Sequence, residues 1–212
     1  DCGAKPGRED TSMPYFSAPE LLPLEKIDAV VITHAHLDHI GMLPVLFKYG
    51  YRGPVYCTPR TRDLMVLLQL DFIKVSQSEG RRPAYTLEDV QTMMLHVVDV
   101  DWNKTTDIAP DIKMTLYNAG HILGSSSGHM HIGEGLHNLV FSGDIKYEKS
   151  WLYDAANVRF PRVESLVLES TYGGTKSFQP SRLEATQELQ DMMKRVLGRG
   201  GKVFCPVFAV GR

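Results

Sequence analysis

Short apolar, β-branched runs alternate along the chain with segments of helical spacing, and this alternation predicts an α/β architecture. Ile27–Thr33 (IDAVVIT) has the composition of a strand buried on both faces. His34–His39 follows directly. Ile40–Tyr49 then shows helical spacing and stops at Gly50, so the histidines fall in a strand-to-helix turn. Val55–Thr58 predicts a second strand, and Thr61–Gln77 a long helix with Leu64, Leu67, Leu68 and Phe72 in one stripe. Ser76–Pro83 reads as a loop, after which Thr86 opens another helix with Asp89 in the capping-box position.

Lys113–Asn118, Gly128–Ile132, Leu139–Ser142 and Ser165–Leu168 read as strands between Gly-rich turns. Pro180 and Ser181 open a last helix, where Glu184 completes a capping box and Leu183, Leu189, Met193 and Val196 share a face. Lys202–Phe208 reads as a final strand. There is no internal repeat and no low-complexity tract.

The 212 residues suffice for one well-buried domain, or for one large domain and part of a second. With 43% hydrophobic and 23% charged residues the composition is that of an ordinary globular protein. No apolar run approaches the ~20 residues of a membrane span, so no membrane partner is expected. Cys2, Cys57 and Cys205 are odd in number and widely spaced, which points to a reducing, cytoplasmic setting rather than to a disulfide framework. The chain begins Asp1-Cys2-Gly3 with neither Met nor a secretion signal, and reads as an excised fragment. A net charge of −2 lends no global support to nucleic-acid binding. Carboxylates that hold cations, however, make the bare charge understate the local potential.

The chemistry is concentrated in His34-Ala35-His36-Leu37-Asp38-His39. Imidazole and carboxylate suit zinc, and four such groups in six residues face one point only if the backbone turns sharply. Packed beside an apolar strand without a cation, they would be costly. Two later strand-end turns supply further ligands, His121 in Ala119-Gly120-His121 and Asp144 in Ser142-Gly143-Asp144. With His34, His36 and His121 on one ion, Asp38 and His39 on another and Asp144 bridging, the set matches a two-metal hydrolase. His96 and His137 read as ordinary structural histidines, and so do His129 and His131, which share a strand face without a third ligand. Asp1 is either a frayed terminus or a hydrogen-bond partner of the ligand loop. Glu169, at a strand end, reads from the residues alone as a carboxylate capping the amides of Thr171 or Tyr172.

At these residues the chain resembles the metallo-β-lactamase superfamily, and from Asp144 onward it is similar to the β-CASP branch of nucleases. It is most similar to archaeal homologues of the endonuclease subunit of the cleavage and polyadenylation specificity factor. Asp1, His34–His39, His121 and Asp144 fall on the family's first four motifs. Glu169, 25 residues beyond Asp144 in Glu169-Ser170-Thr171-Tyr172-Gly173, falls on the acidic motif that opens the β-CASP part.

The resemblance implies an αββα sandwich with the start of an inserted β-CASP domain. Residues 1–172 would form the metallo-β-lactamase domain without its N-terminal strands, and residues 173–212 the truncated beginning of the β-CASP domain. It implies two zinc ions and an RNA endonuclease acting in RNA 3′-end processing or transcription termination, leaving a 5′-phosphate and a 3′-hydroxyl. Asp38 would take the proton from the attacking water, and Glu169 would orient an acid histidine. That histidine and one further ligand belong to later motifs absent from these residues. Single-stranded RNA is the expected partner, with Lys146, Lys149 and Lys176 near the motifs, and any homodimer would form through regions outside this chain. The rival readings are a 5′-3′ exoribonuclease or DNA-processing nuclease of the same branch, a thioester or lactone hydrolase of the same fold, and a scaffold without metals.

Overall fold

A parallel strand that is apolar on both faces needs cover on both faces, and the first three strands of the chain receive it. The computed structural model describes residues 1–4 and 19–211. Strands β1 (Val30–Val31), β2 (Val55–Cys57) and β3 (Val97–Asp99) pair in parallel in that order. Successive side chains of a strand point to opposite faces. Val30, Val55, Cys57 and Val97 accordingly pack into a core with Ile40, Leu43, Phe47, Met65 and Met93. These last come from helices α1 (Leu37–Ile40), α2 (Leu43–Lys48), α3 (Pro59–Ser78) and α4 (Leu87–Met94). Val31 and Tyr56 face the other way, onto Met114, Leu116 and Met130 of a second sheet.

That second sheet has the order β4 (Thr105–Ala109), β5 (Ile112–Asn118), β6 (Ser126–Ile132), β7 (His137–Phe141) and β8 (Ser165–Val167). Its pairs are antiparallel except β7 with β8. Helices, a parallel sheet and a mixed sheet thus make three layers, the mixed α/β arrangement of a metallo-β-lactamase fold. On the remaining face of the second sheet, Tyr117 and His129 pack edge-on against Phe160 from the β7–β8 connection.

Several elements differ from the sequence expectation. Ile40–Tyr49 is not one helix, because the Met42 amide donates to the Cys2 carbonyl (3.0 Å) and α2 restarts at Leu43-Pro44. The buried stripe of α3 is Thr61, Met65, Gln69, Ile73 and Ser76, and Leu67 is 59% exposed. The polar members of that stripe hold specific bonds, Gln69 Nε2 to the Ile40 carbonyl (3.1 Å) and Thr61 Oγ1 to the Gly124 carbonyl (3.0 Å), which a count of apolar residues overlooks. Helix α4 has the expected Thr86/Asp89 capping box.

The chain divides into two compact units, Asp1–Glu169 and Ser170–Arg212. In the second, helix α5 (Arg182–Gly198) starts at Ser181 with both bonds of the Ser181/Glu184 capping box, and none of its residues is buried. Lys202–Phe208 is not a strand. A strand exists through ladder pairing, and neither sheet of the described residues includes this segment.

Candidate metal centre

Every candidate ligand stands where a strand of the first unit ends, and the ends converge on one edge. His34 and His36 follow β1, and Asp38 and His39 lie in the first turns of α1, for which His36 is the N-cap residue. His121 is in the β5–β6 connection, Asp144 follows β7 and Glu169 follows β8. The sheets are joined at this edge by the Ser126 amide, which donates to the Thr33 carbonyl (2.7 Å).

Four donors form a close set: His34, His36, His121 and Asp144 each offer an atom within 4.8 Å of the others. His36 Nδ1 is 3.1 Å from His34 Nε2 and 3.1 Å from His121 Nε2. Asp144 Oδ2 is 3.8 Å from His34 Nε2 and 3.5 Å from His121 Nε2. A tetrahedral shell with bonds of ~2.0–2.1 Å separates its donors by about 3.3–3.4 Å. The spacing found fits such a shell, so this group can hold a metal ion.

The other Asp144 oxygen, Oδ1, lies 3.3 Å from His39 Nε2, which is also 3.7 Å from Asp38 Oδ2. One carboxylate therefore faces two donor groups. The second, Asp38, His39 and Asp144, has three protein donors and lies more open, with the Asp38 side chain 48% exposed.

Asp1 is not frayed. Its Oδ1 accepts from the Thr33 amide (2.7 Å), and its Oδ2 accepts from Thr33 Oγ1 (2.7 Å) and His39 Nδ1 (2.7 Å). A carboxylate on Nδ1 places the imidazole proton there and leaves Nε2 as a lone-pair donor toward Asp38 and Asp144. Thr33 extends the relay. Its single hydroxyl proton goes to Asp1, so Oγ1 accepts from His34 Nδ1 (3.1 Å), and His34 Nε2 is left to face the centre. Thr33 was not visible as a functional residue in the sequence. The only signal for it is a hydroxyl immediately before the first histidine.

Two glycines let the turns close. At Gly143, φ is +56° and an added Cβ would lie 2.6 Å from the Thr33 Cβ, so Asp144 approaches through a bend that disfavours any side chain. At Gly3 an added Cβ would lie 1.5 Å from the Asp38 carbonyl oxygen. There the chain runs against the ligand turn through Cys2 N to His39 O (2.7 Å) and Ala4 N to Leu37 O (2.9 Å).

Glu169 ties its strand end to the turn that carries Asp144. Its Oε1 accepts from the Ile145 amide (3.2 Å), next to Asp144, and its own amide donates to Ser142 Oγ (3.0 Å). The remaining histidines stand apart from the cluster. His96 packs on Phe47, and His137 Nε2 meets Ser165 Oγ (2.9 Å). His131 is bound by Asn138 and Thr115, and His129 is buried beside Tyr117 and Phe160.

Burial pushes the His34 imidazole down from 6.5 to about 2, reinforced by the neighbouring charges of His39, His121 and His36 and opposed by Asp144. His121 is displaced the same way, again chiefly by burial. A hydrogen bond from His39, helped by the charges of the surrounding histidines, holds the Asp144 carboxyl down at about 2. The sign follows. Unfolded His34 takes up a proton near pH 6.5 that the fold refuses until about pH 2. Its contribution to stability is thus complete above 6.5 and lost as pH falls toward 2. Chelated protein is expected to melt at steadily lower temperature as pH drops below 6.5. His34→Gln should flatten that slope, as thermal unfolding followed by circular dichroism would show.

The family model described as a beta-lactamase superfamily domain matches residues 4–196. The chain is 55% identical over 212 residues to a protein named transcription termination factor FttA from Methanosarcina mazei, covering 100% of this chain and 33% of that protein. It is 52% identical over 212 residues to the protein of the same name from Methanocaldococcus jannaschii, with the same coverage. For that from Pyrococcus abyssi the identity is 51% over 205 residues, covering 95% of this chain and 32% of that protein. The chain spans about a third of the length of these curated relatives.

Proposed function

The chain belongs to the metallo-β-lactamase superfamily, and from that premise we propose that it supplies the metal-binding part of a zinc-dependent phosphodiesterase of the β-CASP branch, an RNA endonuclease acting at transcript ends. The observation that carries this reading is Asp144, whose two oxygens face two donor groups, His34/His36/His121 and Asp38/His39. A carboxylate so placed joins two cations, the arrangement suited to in-line displacement at phosphorus. Three imidazoles and a carboxylate favour zinc among the common divalent ions.

When bound, divalent ions supply Lewis acidity, bringing the pKa of water to ~7 and neutralising charge on a phosphate oxygen. The chain's own residues do the rest. Asp38 presents an exposed carboxylate at the open side of the centre and accepts the proton of the attacking water. Asp1 and Thr33 fix the tautomers of His39 and His34. Glu169, anchored on the Ile145 amide, holds the turn that carries Asp144 and is placed to orient an acid from outside this chain. Residues 173–212 begin the β-CASP domain in this reading. The relatives' name, transcription termination factor, supports nascent RNA as substrate. Three cysteines without disulfide partners, and no described helix long and apolar enough to cross a membrane, agree with a cytoplasmic setting.

The test uses the full-length protein, zinc-loaded or chelated, on a single-stranded RNA oligonucleotide, with product ends identified by mass. Zinc-dependent cleavage leaving 5′-phosphates is expected. Asp38→Ala should lower kcat by ~10²–10⁴-fold, the usual contribution of a general base. Glu169→Ala should cost less, since it acts through other groups. Equal cleavage by loaded and chelated enzyme, or zinc-dependent hydrolysis of lactones or thioesters with RNA untouched, would refute the assignment.

A further inference from the structure

Two residues beyond Asp144 the chain leaves the metal edge in a loop, and both ends of that loop are fastened to the turn that carries His121. The Lys146 amide donates to the Ala119 carbonyl (2.9 Å), the Ala156 amide to the Lys146 carbonyl (2.9 Å) and the Asn157 amide to the Asn118 carbonyl (2.8 Å). Asn118 Nδ2 adds a bond to the Ala155 carbonyl (3.2 Å). The tip is fixed as well. Ser150 Oγ accepts from the amides of Leu152 (3.2 Å) and Tyr153 (2.8 Å), and the Ser150 amide donates to the Tyr153 carbonyl (2.8 Å).

This clamped loop holds its largest rings in solvent. Trp151 is 83% exposed and Tyr147 is 71% exposed. With Leu152, 65% exposed, they put three large apolar side chains in solvent within six residues, and grouped exposed apolar side chains mark interaction surfaces. The loop itself carries two cations, Lys146 and Lys149, against Glu148 and Asp154. Lys149 offsets Asp154 (3.0 Å), and among the described residues the Lys146 ammonium has no partner.

Resting on the phosphodiesterase reading above, we propose that Tyr147 and Trp151 form a base-stacking platform that seats unpaired nucleotides of the RNA beside the cleavage site, with Lys146 meeting the backbone. Exposed aromatic faces beside cations bind single strands, whose bases are free to stack, and are closed to a duplex, whose bases already stack on each other. The platform selects single-stranded substrate. Its root on Ala119, two residues before His121, and its start after Asp144 keep it in register with the metal ligands.

The test is steady-state kinetics of the full-length zinc-loaded protein on single-stranded RNA and on bis(p-nitrophenyl) phosphate, a diester with no nucleobase. Trp151→Ala is expected to raise KM for the RNA roughly 5- to 150-fold, the range for one lost base–aromatic stack. Its kcat and its hydrolysis of the small diester should stay within about twofold of wild type, and Trp151→Phe should recover most of the loss. Lys146→Ala should reduce the salt dependence of RNA binding by about one ion. A Trp151→Ala enzyme with wild-type KM for RNA would overturn the platform. So would a lowered melting temperature with both activities lost, the signature of rings packed against another part of the same protein. Should the wild type hydrolyse the small diester but leave RNA intact, the nucleic-acid reading itself would fall and the platform with it.

Discussion

On the proposed two-metal reading, Asp144→Ala in the full-length protein is expected to abolish cleavage and to empty both metal positions, the largest single effect in the molecule. Its carboxylate serves both donor groups: Oδ2 lies 3.5 Å from His121 Nε2, and Oδ1 lies 3.3 Å from His39 Nε2. Without it the first group keeps three imidazoles, and the second keeps only Asp38 and His39. Metal-ion stabilisation of transition-state charge is worth several kcal/mol, and each ~1.4 kcal/mol is tenfold in rate, so a loss of at least about a thousandfold is expected. The fold should survive, because Asp144 is 26% exposed and belongs to neither hydrophobic core. Metal content by elemental analysis, read beside far-ultraviolet circular dichroism, separates the two outcomes. A variant that retained two ions per chain and cut RNA at the wild-type rate would remove the basis of the two-metal assignment.

How much of this was legible in the sequence depended on whether a residue's neighbours in space were also its neighbours in the chain. His34, His36, Asp38 and His39 announce themselves because one sharp turn holds all four. His121 and Asp144 are single residues in separate turns and stood out only because each follows a small residue at a strand end. Thr33 and Gly3 carry no such mark. Their roles come from contacts 32 and 35 residues away, Thr33 with Asp1 and Gly3 with Asp38, which no local pattern encodes. Glu169 shows the same limit. Its bond to the Ile145 amide, 24 residues earlier, is one that no local pattern encodes.

The fold divides along the same line. Strands that are apolar on both faces, and helices with capping boxes at Thr86 and Ser181, were visible because their signals lie within a few residues. Strand β3 has only three residues, and β4 (TTDIA) has little apolar alternation. Both exist through pairing, β3 with β2 and β4 with β5. The face of α3 was misplaced by one position because two of its buried members, Thr61 and Gln69, are polar and pair with backbone carbonyls.

Gly3→Ala should be nearly as damaging to the metal centre as loss of a ligand, although residue 3 touches no ion in this assignment. A Cβ there would lie 1.5 Å from the Asp38 carbonyl oxygen and 2.6 Å from the His39 amide nitrogen, both backbone atoms that no rotamer change can move aside. The chain must therefore lift away. Three bonds would go with it: Cys2 N to His39 O, Ala4 N to Leu37 O and Met42 N to Cys2 O. Asp1 would leave too, freeing Thr33 and the Nδ1 of His39 from the carboxylate that sets their proton positions. Loss of an outer hydrogen-bond partner alone costs ~10–100-fold in metal affinity or activity. Asp1→Asn, which keeps the loop docked and removes only the charge, should fall in that range. Gly3→Ala should exceed it, because it displaces the backbone bearing Asp38 and His39 as well. Zinc titrations of the two full-length variants against a competing chelator would rank them, and a Gly3→Ala protein that binds zinc more tightly than Asp1→Asn would show that docking of residues 1–4 does not position the ligand turn.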